Sequence, residues 1–223
     1  MKLDAKSWMN ELVSRLLEEF GAHRIICIGL QGSYARGDMS DTSDIDAVLI
    51  LDKLGFPELH RYKEIISSMP SQEKACGFVS GKEELLNWPQ SDLFQFYYDT
   101  KPFFGSLDFL LPLLGRSAVV KAVRMGASNL YHGCCHAYLF ENAAESLPHL
   151  LKTAFFLIQA TAFLEHGVYL PNRELEHYVA GESLEILNFC RNRLALSQEE
   201  VSSCYKKLFH WASQVLLSCT AES

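Results

Sequence analysis

The sequence lacks most features that would place it outside an ordinary globular class. Its seven cysteines are odd in number and form no CxxC pair, which argues against a zinc ribbon or a disulfide framework. It contains no internal repeat and no low-complexity tract. Charges interrupt the apolar pattern of the first twenty residues and every later apolar stretch of about eighteen residues. We therefore expect reduced thiols, a cytoplasmic location, no signal peptide and no membrane partner.

The sequence also lacks a basic stripe. Its 223 residues carry a net charge of -7, with 11 basic against 17 acidic residues in 1–115 and 9 against 10 in 116–223. A protein that follows a phosphate backbone normally presents an excess of positive charge on one face. We therefore expect no long nucleic acid as a partner, although a single nucleotide bound through metal ions is compatible with this charge.

The spacing of apolar residues changes between the two halves of the chain. Alternating or continuous apolar runs predict strands over residues 25–30, 44–51, 76–80 and 93–98. Three-to-four spacing predicts helices over residues 8–20, 57–69 and 82–88. The predicted fold class is α+β, with a small mixed-sheet domain at 1–115 followed by an all-α helical bundle at 116–223.

The spacing in the second half predicts helices throughout, from about residue 106. Gly126 and Gly133 are expected to interrupt them. Ser146 and Pro148 are expected to cap and begin a central helix that ends at His166.

The most informative stretch is residues 25–51. A buried strand ends at Gly32 and Ser33 and is followed by a short predicted helix. Gly32 has no side chain and allows close approach of a ligand, while Ser33 offers a hydroxyl and an N–H group at a helix start, where anions are favoured. This turn predicts a cradle for a triphosphate.

Two acids open the next predicted strand. Asp44 and Asp46 lie two positions apart, so both carboxylates leave the same face while Ile45 turns towards the core. Carboxylate and phosphate oxygens are the ligands that Mg²⁺ prefers. The pair therefore predicts a site for Mg²⁺ shared with a triphosphate.

Together these segments resemble the nucleotidyltransferase superfamily of DNA polymerase beta, in particular its small members with a GSxARG and SDIDxxxx signature. The matching residues are Gly32, Ser33, Ala35, Arg36, Gly37, Ser43, Asp44, Ile45 and Asp46. The resemblance covers residues 25–51 directly, and the helical second half is similar to that of aminoglycoside nucleotidyltransferases.

The resemblance implies transfer of a nucleoside monophosphate, most often AMP, from a nucleoside triphosphate to a hydroxyl of a small-molecule acceptor. It implies Mg²⁺ as cofactor, ATP as the expected donor, and Asp44 and Asp46 as metal ligands. The residues expected to bind the nucleotide are Gly32, Ser33, Arg36, Ser43 and Lys152. Two alternatives stay open: a protein adenylyltransferase of the antitoxin kind, and a noncatalytic nucleotide-binding module.

The family pattern also implies a third carboxylate on a neighbouring strand. The predicted strand 76–80 contains no acid, so the candidates are Asp92 and Asp99, at the two ends of the predicted strand 93–98. Asp92 and Asp99 are seven positions apart, so on a strand their side chains would point to opposite faces. Asp92 is favoured as the third catalytic carboxylate because it opens an acid-first run, whereas Asp99 could cap a turn.

Several other polar and aromatic residues have two interpretations each. Arg36 could contact the triphosphate or hold its loop through Asp38 or Asp41, and Lys152 could reach a phosphate or extend to the surface. A zinc site is not expected in the run 132–136, because only His132 and His136 share a helix face. An acceptor pocket or core packing could each explain the aromatic residues Tyr97, Tyr98, Phe103 and Phe104.

Overall fold

A computed structural model gives the fold over residues 4–37, 39, 43–192 and 197–219. The chain divides into two compact units. The first consists of residues 1–89 and 96–113, and the second of residues 90–95 and 114–223. One helix, Gln90–Asp99, has its first six residues in the second unit and its last four in the first.

The first unit contains a four-stranded sheet and the helices that cover it. Its elements are α1 (Ala5–Phe20), β1 (Ile25–Gln31), α2 (Gly32–Arg36), β2 (Ile45–Leu51), α3 (Phe56–Ser67), β3 (Ala75–Gly81), α4 (Lys82–Leu86), the end of α5 (Gln90–Asp99) and β4 (Lys101–Gly105). Two 3₁₀ turns, Gln72–Lys74 and Asp108–Leu113, complete it.

The sheet is mixed, as predicted, with strand order β3-β2-β1-β4. β1 pairs antiparallel with both β2 and β4, and β2 pairs parallel with β3. The two central strands are apolar along almost their whole length because both of their faces are buried. Pro102 is tolerated in β4 because this strand lies at the edge, where one side of its backbone needs no partner.

One face of the sheet packs on α1 and α3. The amphipathic spacing of α1 buries an apolar stripe made of Trp8, Met9, Leu12, Leu16 and Phe20. It meets the inward-facing residues of the central strands, Ile25, Ile28, Leu30, Ile45, Ala47, Leu49 and Leu51. Because Ile45 and Ala47 point into this core, Asp46 between them leaves the opposite face of β2.

The strand predicted over residues 93–98 is wrong: these residues belong to α5. An apolar run of six residues is compatible with either a helix or a strand, and aromatic content favoured the strand. In the helix the apolar side chains of Leu93, Phe94 and Phe96 are buried. The edge strand β4, at Lys101–Gly105, was not predicted.

The second unit is helical, as the sequence predicts. Besides the start of α5 it contains α6 (Arg116–Phe140), α7 (Ala143–His166), α8 (Asn172–Leu175), α9 (Gly181–Arg191) and α10 (Gln198–Ser218). The α+β fold class with a helical C-terminal region is therefore confirmed.

Two details of the helical half differ from the prediction. Gly126 and Gly133 do not interrupt helices but lie inside α6, facing α7. A Cβ atom would lie 3.4 Å from Leu157 Cδ1 at Gly126 and 2.8 Å from Leu150 Cδ2 at Gly133. These glycines therefore allow the two helices to approach closely.

The start of α7 also lies earlier than predicted. Pro148 is inside the helix, and Asn142 caps it by accepting a hydrogen bond from the backbone N–H of Ala144 at 3.1 Å. By length and composition alone α7 could cross a membrane. More than half of its most apolar window is buried in the protein, as is typical of the central helix of a bundle.

Asn142→Ala is expected to lower the free energy of unfolding by about 1 kcal/mol, because the first turn of α7 loses its capping acceptor. Asn142→Asp, which keeps an acceptor oxygen, should retain most of the stability. Urea unfolding of the two variants measures the difference. Equal losses from both variants would contradict a capping role.

Candidate active site

The turn after β1 brings the predicted nucleotide-binding residues next to the predicted metal ligands. β1 ends at Gln31, and Gly32 begins α2 with a φ of +69°, in the left-handed region that favours glycine. A Cβ atom on Gly32 would lie 1.8 Å from Oδ2 of Asp46. The Asp46 carboxylate therefore lies directly against the glycine backbone, in space that any side chain at position 32 would fill.

The register of the sheet fixes this approach. Gln31 is paired with Asp46 across β1 and β2, so the turn at Gly32 lies beside the first residues of β2. Asp46 is half-buried, whereas Asp44, just before the strand, is exposed. The pair thus presents one anchored carboxylate and one solvated carboxylate, and carboxylate oxygens suit a hard divalent cation.

Arg36, the last residue of α2, pairs with Asp99. Nη1 of Arg36 lies 3.4 Å from Oδ2 of Asp99, and the two side chains are only 16% and 10% exposed. The sequence offered the triphosphate, Asp38 or Asp41 as partners of Arg36. Asp38 and Asp41 lie outside the described residues, and Asp99 is 63 positions away in the sequence.

Two hydrogen bonds connect Gln31, just before the Gly32 turn, to the end of α5. Nε2 of Gln31 donates to Oγ1 of Thr100 at 2.7 Å and to the carbonyl oxygen of Phe96 at 3.2 Å. Together with the Arg36–Asp99 ion pair, these bonds attach both ends of the Gly32 turn to the last turn of α5. Sequence reasoning missed Gln31 and Thr100, which carry no motif of their own.

The strand that was expected to place Asp92 and Asp99 on opposite faces is a helix in the structure. Asp92 and Asp99 lie on a helix, where positions seven apart fall on nearly the same side, so strand alternation does not separate them. Asp92 belongs to the helical unit, whereas Asp99 is in the first unit and engages Arg36. A catalytic role for Asp92 stays a prediction.

The strand next to the acid pair contains no acid, as the sequence indicates. β3 runs parallel to β2, and its register places Cys76 opposite Asp46. Residues paired in a parallel ladder point to the same face. The neighbour of Asp46 on β3 is therefore an exposed thiol rather than a carboxylate.

Lys152 is exposed on α7, and Ser43 precedes Asp44 and is half-buried. Phe103 and Phe104 pack against the core of the first unit, and Tyr97 donates a hydrogen bond to Asp108 at 3.1 Å. Burial and this bond raise the pKa of Tyr97.

In the run from His132 to His136, burial raises the pKa of the Cys134 thiol to about 12. Across the part of the chain that the structure describes, no group of three His, Cys, Asp or Glu residues is arranged to hold a metal ion.

Comparisons with known proteins agree with this geometry. The family model described as "Nucleotidyltransferase domain" matches residues 9–76, from α1 to the start of β3. No curated protein matches the chain.

Two solved structures are similar to the chain. Spectinomycin adenyltransferase AAD(9) from Enterococcus faecialis, solved with ATP and spectinomycin, has 14% sequence identity and a TM-score of 0.56, over 94% of this chain and 100% of that one. A nucleotidyltransferase-like protein from Exiguobacterium sibiricum has 12% identity and a TM-score of 0.38, over 94% of this chain and 75% of that one. The first likeness shows a shared fold.

The predicted resemblance is thus confirmed from two directions, the match of residues 9–76 and the fold of the whole chain. The segment that matches contains the Gly32 turn and the Asp44 and Asp46 pair. Residues 9–76 therefore match a nucleotidyltransferase domain, and the chain shares the fold of an adenyltransferase.

Proposed function

We propose that the protein transfers AMP from ATP to a hydroxyl group of a small-molecule acceptor, with Mg²⁺ held by Asp44 and Asp46. The observation that carries the proposal is the contact between the Asp46 carboxylate and Gly32. It brings a carboxylate ligand to the backbone at the start of α2, where a triphosphate would lie.

The donor set suits Mg²⁺. Asp44 and Asp46 supply hard carboxylate oxygens, and the missing side chain at position 32 leaves room for the Asp46 carboxylate beside the turn. When bound, Mg²⁺ supplies positive charge that stabilises the phosphate oxygens during displacement. Ser33 contributes a hydroxyl and a backbone N–H for the phosphates, and Ser43 lies just before the acid pair.

Arg36 has a positioning role in this proposal. Its ion pair with Asp99 holds α2 against the last turn of α5. The guanidinium thereby fixes the orientation of the Gly32 and Ser33 backbone, which electrostatic catalysis requires to be in place before the reaction.

ATP as donor and a small molecule as acceptor are supported by the similar structure solved with ATP and spectinomycin. The test is incubation with α-labelled nucleoside triphosphates, Mg²⁺ and a panel of hydroxylated acceptors that includes spectinomycin. Label in a small-molecule product supports the proposal. Label in an added protein instead would favour the alternative in which the acceptor is a polypeptide.

Mg²⁺ and ATP together are expected to raise Tm, because a ligand that binds only the native state stabilises it by mass action. At about 100 times Kd the gain is about 2.7 kcal/mol, which corresponds to about 5–10 °C for a chain of this size. Ser33→Ala should reduce the shift. Ser14→Ala is the control, because its hydroxyl donates within α1, to the carbonyl of Asn10. An undiminished shift in Ser33→Ala would contradict a phosphate contact by this hydroxyl.

A further inference from the structure

The end of α6 carries a group of uncovered apolar side chains. Its last three residues, Tyr138, Leu139 and Phe140, are 66%, 67% and 75% exposed. A single exposed apolar side chain is ordinary on a protein surface, but a contiguous group of large ones indicates an interaction surface. We call these three residues the end patch.

A groove lies beside the end patch, between α6 and α10. Its volume is about 680 Å³. Tyr138 and Leu139 line it on the α6 side, and Tyr205 and Phe209 line it on the α10 side. Two residues of the end patch therefore also belong to the groove, so the two features are continuous. All of these residues lie in the second unit.

Contacts inside the helical unit hold the α10 side of the groove in place. The hydroxyl of Tyr205 donates to the carbonyl oxygen of Ala143 at 3.0 Å. The ring of Phe209 stacks on the ring of Tyr131, with 5.0 Å between the ring centres. A groove whose side chains are already ordered loses little conformational entropy when a partner binds.

The groove and the end patch are bordered by charges of opposite sign. Lys206 is the one charged side chain among the described residues that line the groove, and within the described chain it has no ion pair or hydrogen bond. Glu141 directly follows the end patch and is exposed. Its carboxylate lies 3.2 Å from Nδ1 of His136, and a hydrogen bond from Ser146 lowers its pKa. Glu141 is therefore negatively charged at neutral pH.

These features favour a second copy of the same chain as the partner. A surface that carries both the projecting side chains and a groove next to them can pair with itself about a two-fold axis, because each contact is then made twice. The opposite charges beside the two features suit the same pairing.

The area is sufficient for a stable dimer. A large aromatic side chain accounts for about 150–250 Å² when it is buried, so at the observed exposures the end patch offers about 400 Å². Two end patches and the two groove surfaces that they cover make about 1,600 Å², which is the usual size of a stable and specific interface.

We propose that the protein forms a two-fold symmetric homodimer in which the end patch of each copy fills the groove of the other. Glu141 then lies beside Lys206 of the partner subunit, and this ion pair occurs twice. The inference concerns the helical unit and does not rest on the proposed transfer reaction.

The first test is sedimentation velocity of the full chain at about 1 to 100 µM, where we expect twice the mass of one chain. Leu139→Asp should raise Kd about a hundredfold or more, because the symmetry buries an unpaired carboxylate at two places. Leu217→Asp is the matched control, because Leu217 is 75% exposed near the end of α10 and does not line the groove. It should leave Kd unchanged. Circular dichroism reports whether both variants are folded.

A charge exchange tests the position of Glu141. Lys206→Glu and Glu141→Lys should each weaken self-association about tenfold, because like charges would face each other at both ion pairs. An equimolar mixture of the two variants should form a heterodimer with nearly the original affinity, because both pairs then join opposite charges.

Three results overturn the inference: a monomer at about 100 µM, equal changes of Kd in Leu139→Asp and Leu217→Asp, or no preference for the heterodimer in the mixture. A monomer would mean that the groove is left open or is covered by another part of the chain or a different protein. Nucleotide and metal are left out of all samples. Failure of this proposal is therefore distinguishable from failure of the proposed function.

Discussion

Replacement of Asp46 by asparagine is expected to lower the rate of nucleotidyl transfer by about a thousandfold. The substitution keeps the volume of the side chain and removes the negative charge that would bind Mg²⁺. Metal binding at a reacting phosphate is worth several kcal/mol, and each 1.4 kcal/mol corresponds to a factor of ten in rate. Asp44→Asn should have an effect of the same order. Both are measured as label transfer from α-labelled ATP at saturating Mg²⁺.

Asp52→Asn is the matched control for these variants. Asp52 follows the opposite end of β2, where it accepts a hydrogen bond from Nε of Arg24 at 3.1 Å. Loss of this exposed ion pair should cost about 1 kcal/mol of stability or less and leave transfer within a few-fold of the original rate. Equal activity losses in Asp46→Asn and Asp52→Asn would mean that general destabilisation, not metal binding, explains the result.

Gly32→Ala is expected to lower the rate of nucleotidyl transfer about as much as Asp46→Asn does. The new Cβ atom would overlap Oδ2 of Asp46, 1.8 Å away, so either the carboxylate or the turn must move. A displacement of this size separates the metal ligand from the phosphate-binding backbone. The positive φ at this position adds about 1–2 kcal/mol of backbone strain. Activity and urea unfolding are measured on the same preparation.

Gly37→Ala separates the two effects. Gly37 has a φ of +81°, so an alanine there meets similar backbone strain, but no described atom lies within 4 Å of its new Cβ. Gly32→Ala should lose at least as much stability as Gly37→Ala, and only Gly32→Ala should lose transfer. An inactive Gly37→Ala would indicate that strain in the loop, rather than contact with Asp46, abolishes activity.

The residues of the candidate site were predictable because their signals are local. A buried apolar run, a glycine turn and a second run that starts with Asp44 and Asp46 are all contained in residues 25–51. In the structure they form β1, α2 and β2 within one residue of the expected bounds for each strand. The antiparallel pairing of the two strands then places the turn beside Asp46.

The residues that support the site were not predictable in the same way. Arg36 and Asp99 are 63 positions apart, and their contact depends on the packing of α5 near the end of β1. The run from Leu93 to Tyr98 has an aromatic composition that favours a strand, but its residues form a helix in which Phe94 and Phe96 are buried. For example, the rings of Phe96 and Phe78 lie 4.8 Å apart. Tertiary packing overrides local preference here.

The most direct test of the account is transfer by the original chain and by the double variant Asp44→Asn/Asp46→Asn. ATP labelled at the α or the γ phosphate is supplied with Mg²⁺ and the acceptor that gives the strongest product. We expect α label in the product, γ label in released pyrophosphate, and neither event with the double variant. Label from the γ phosphate in the product, or an equally active double variant, would contradict it.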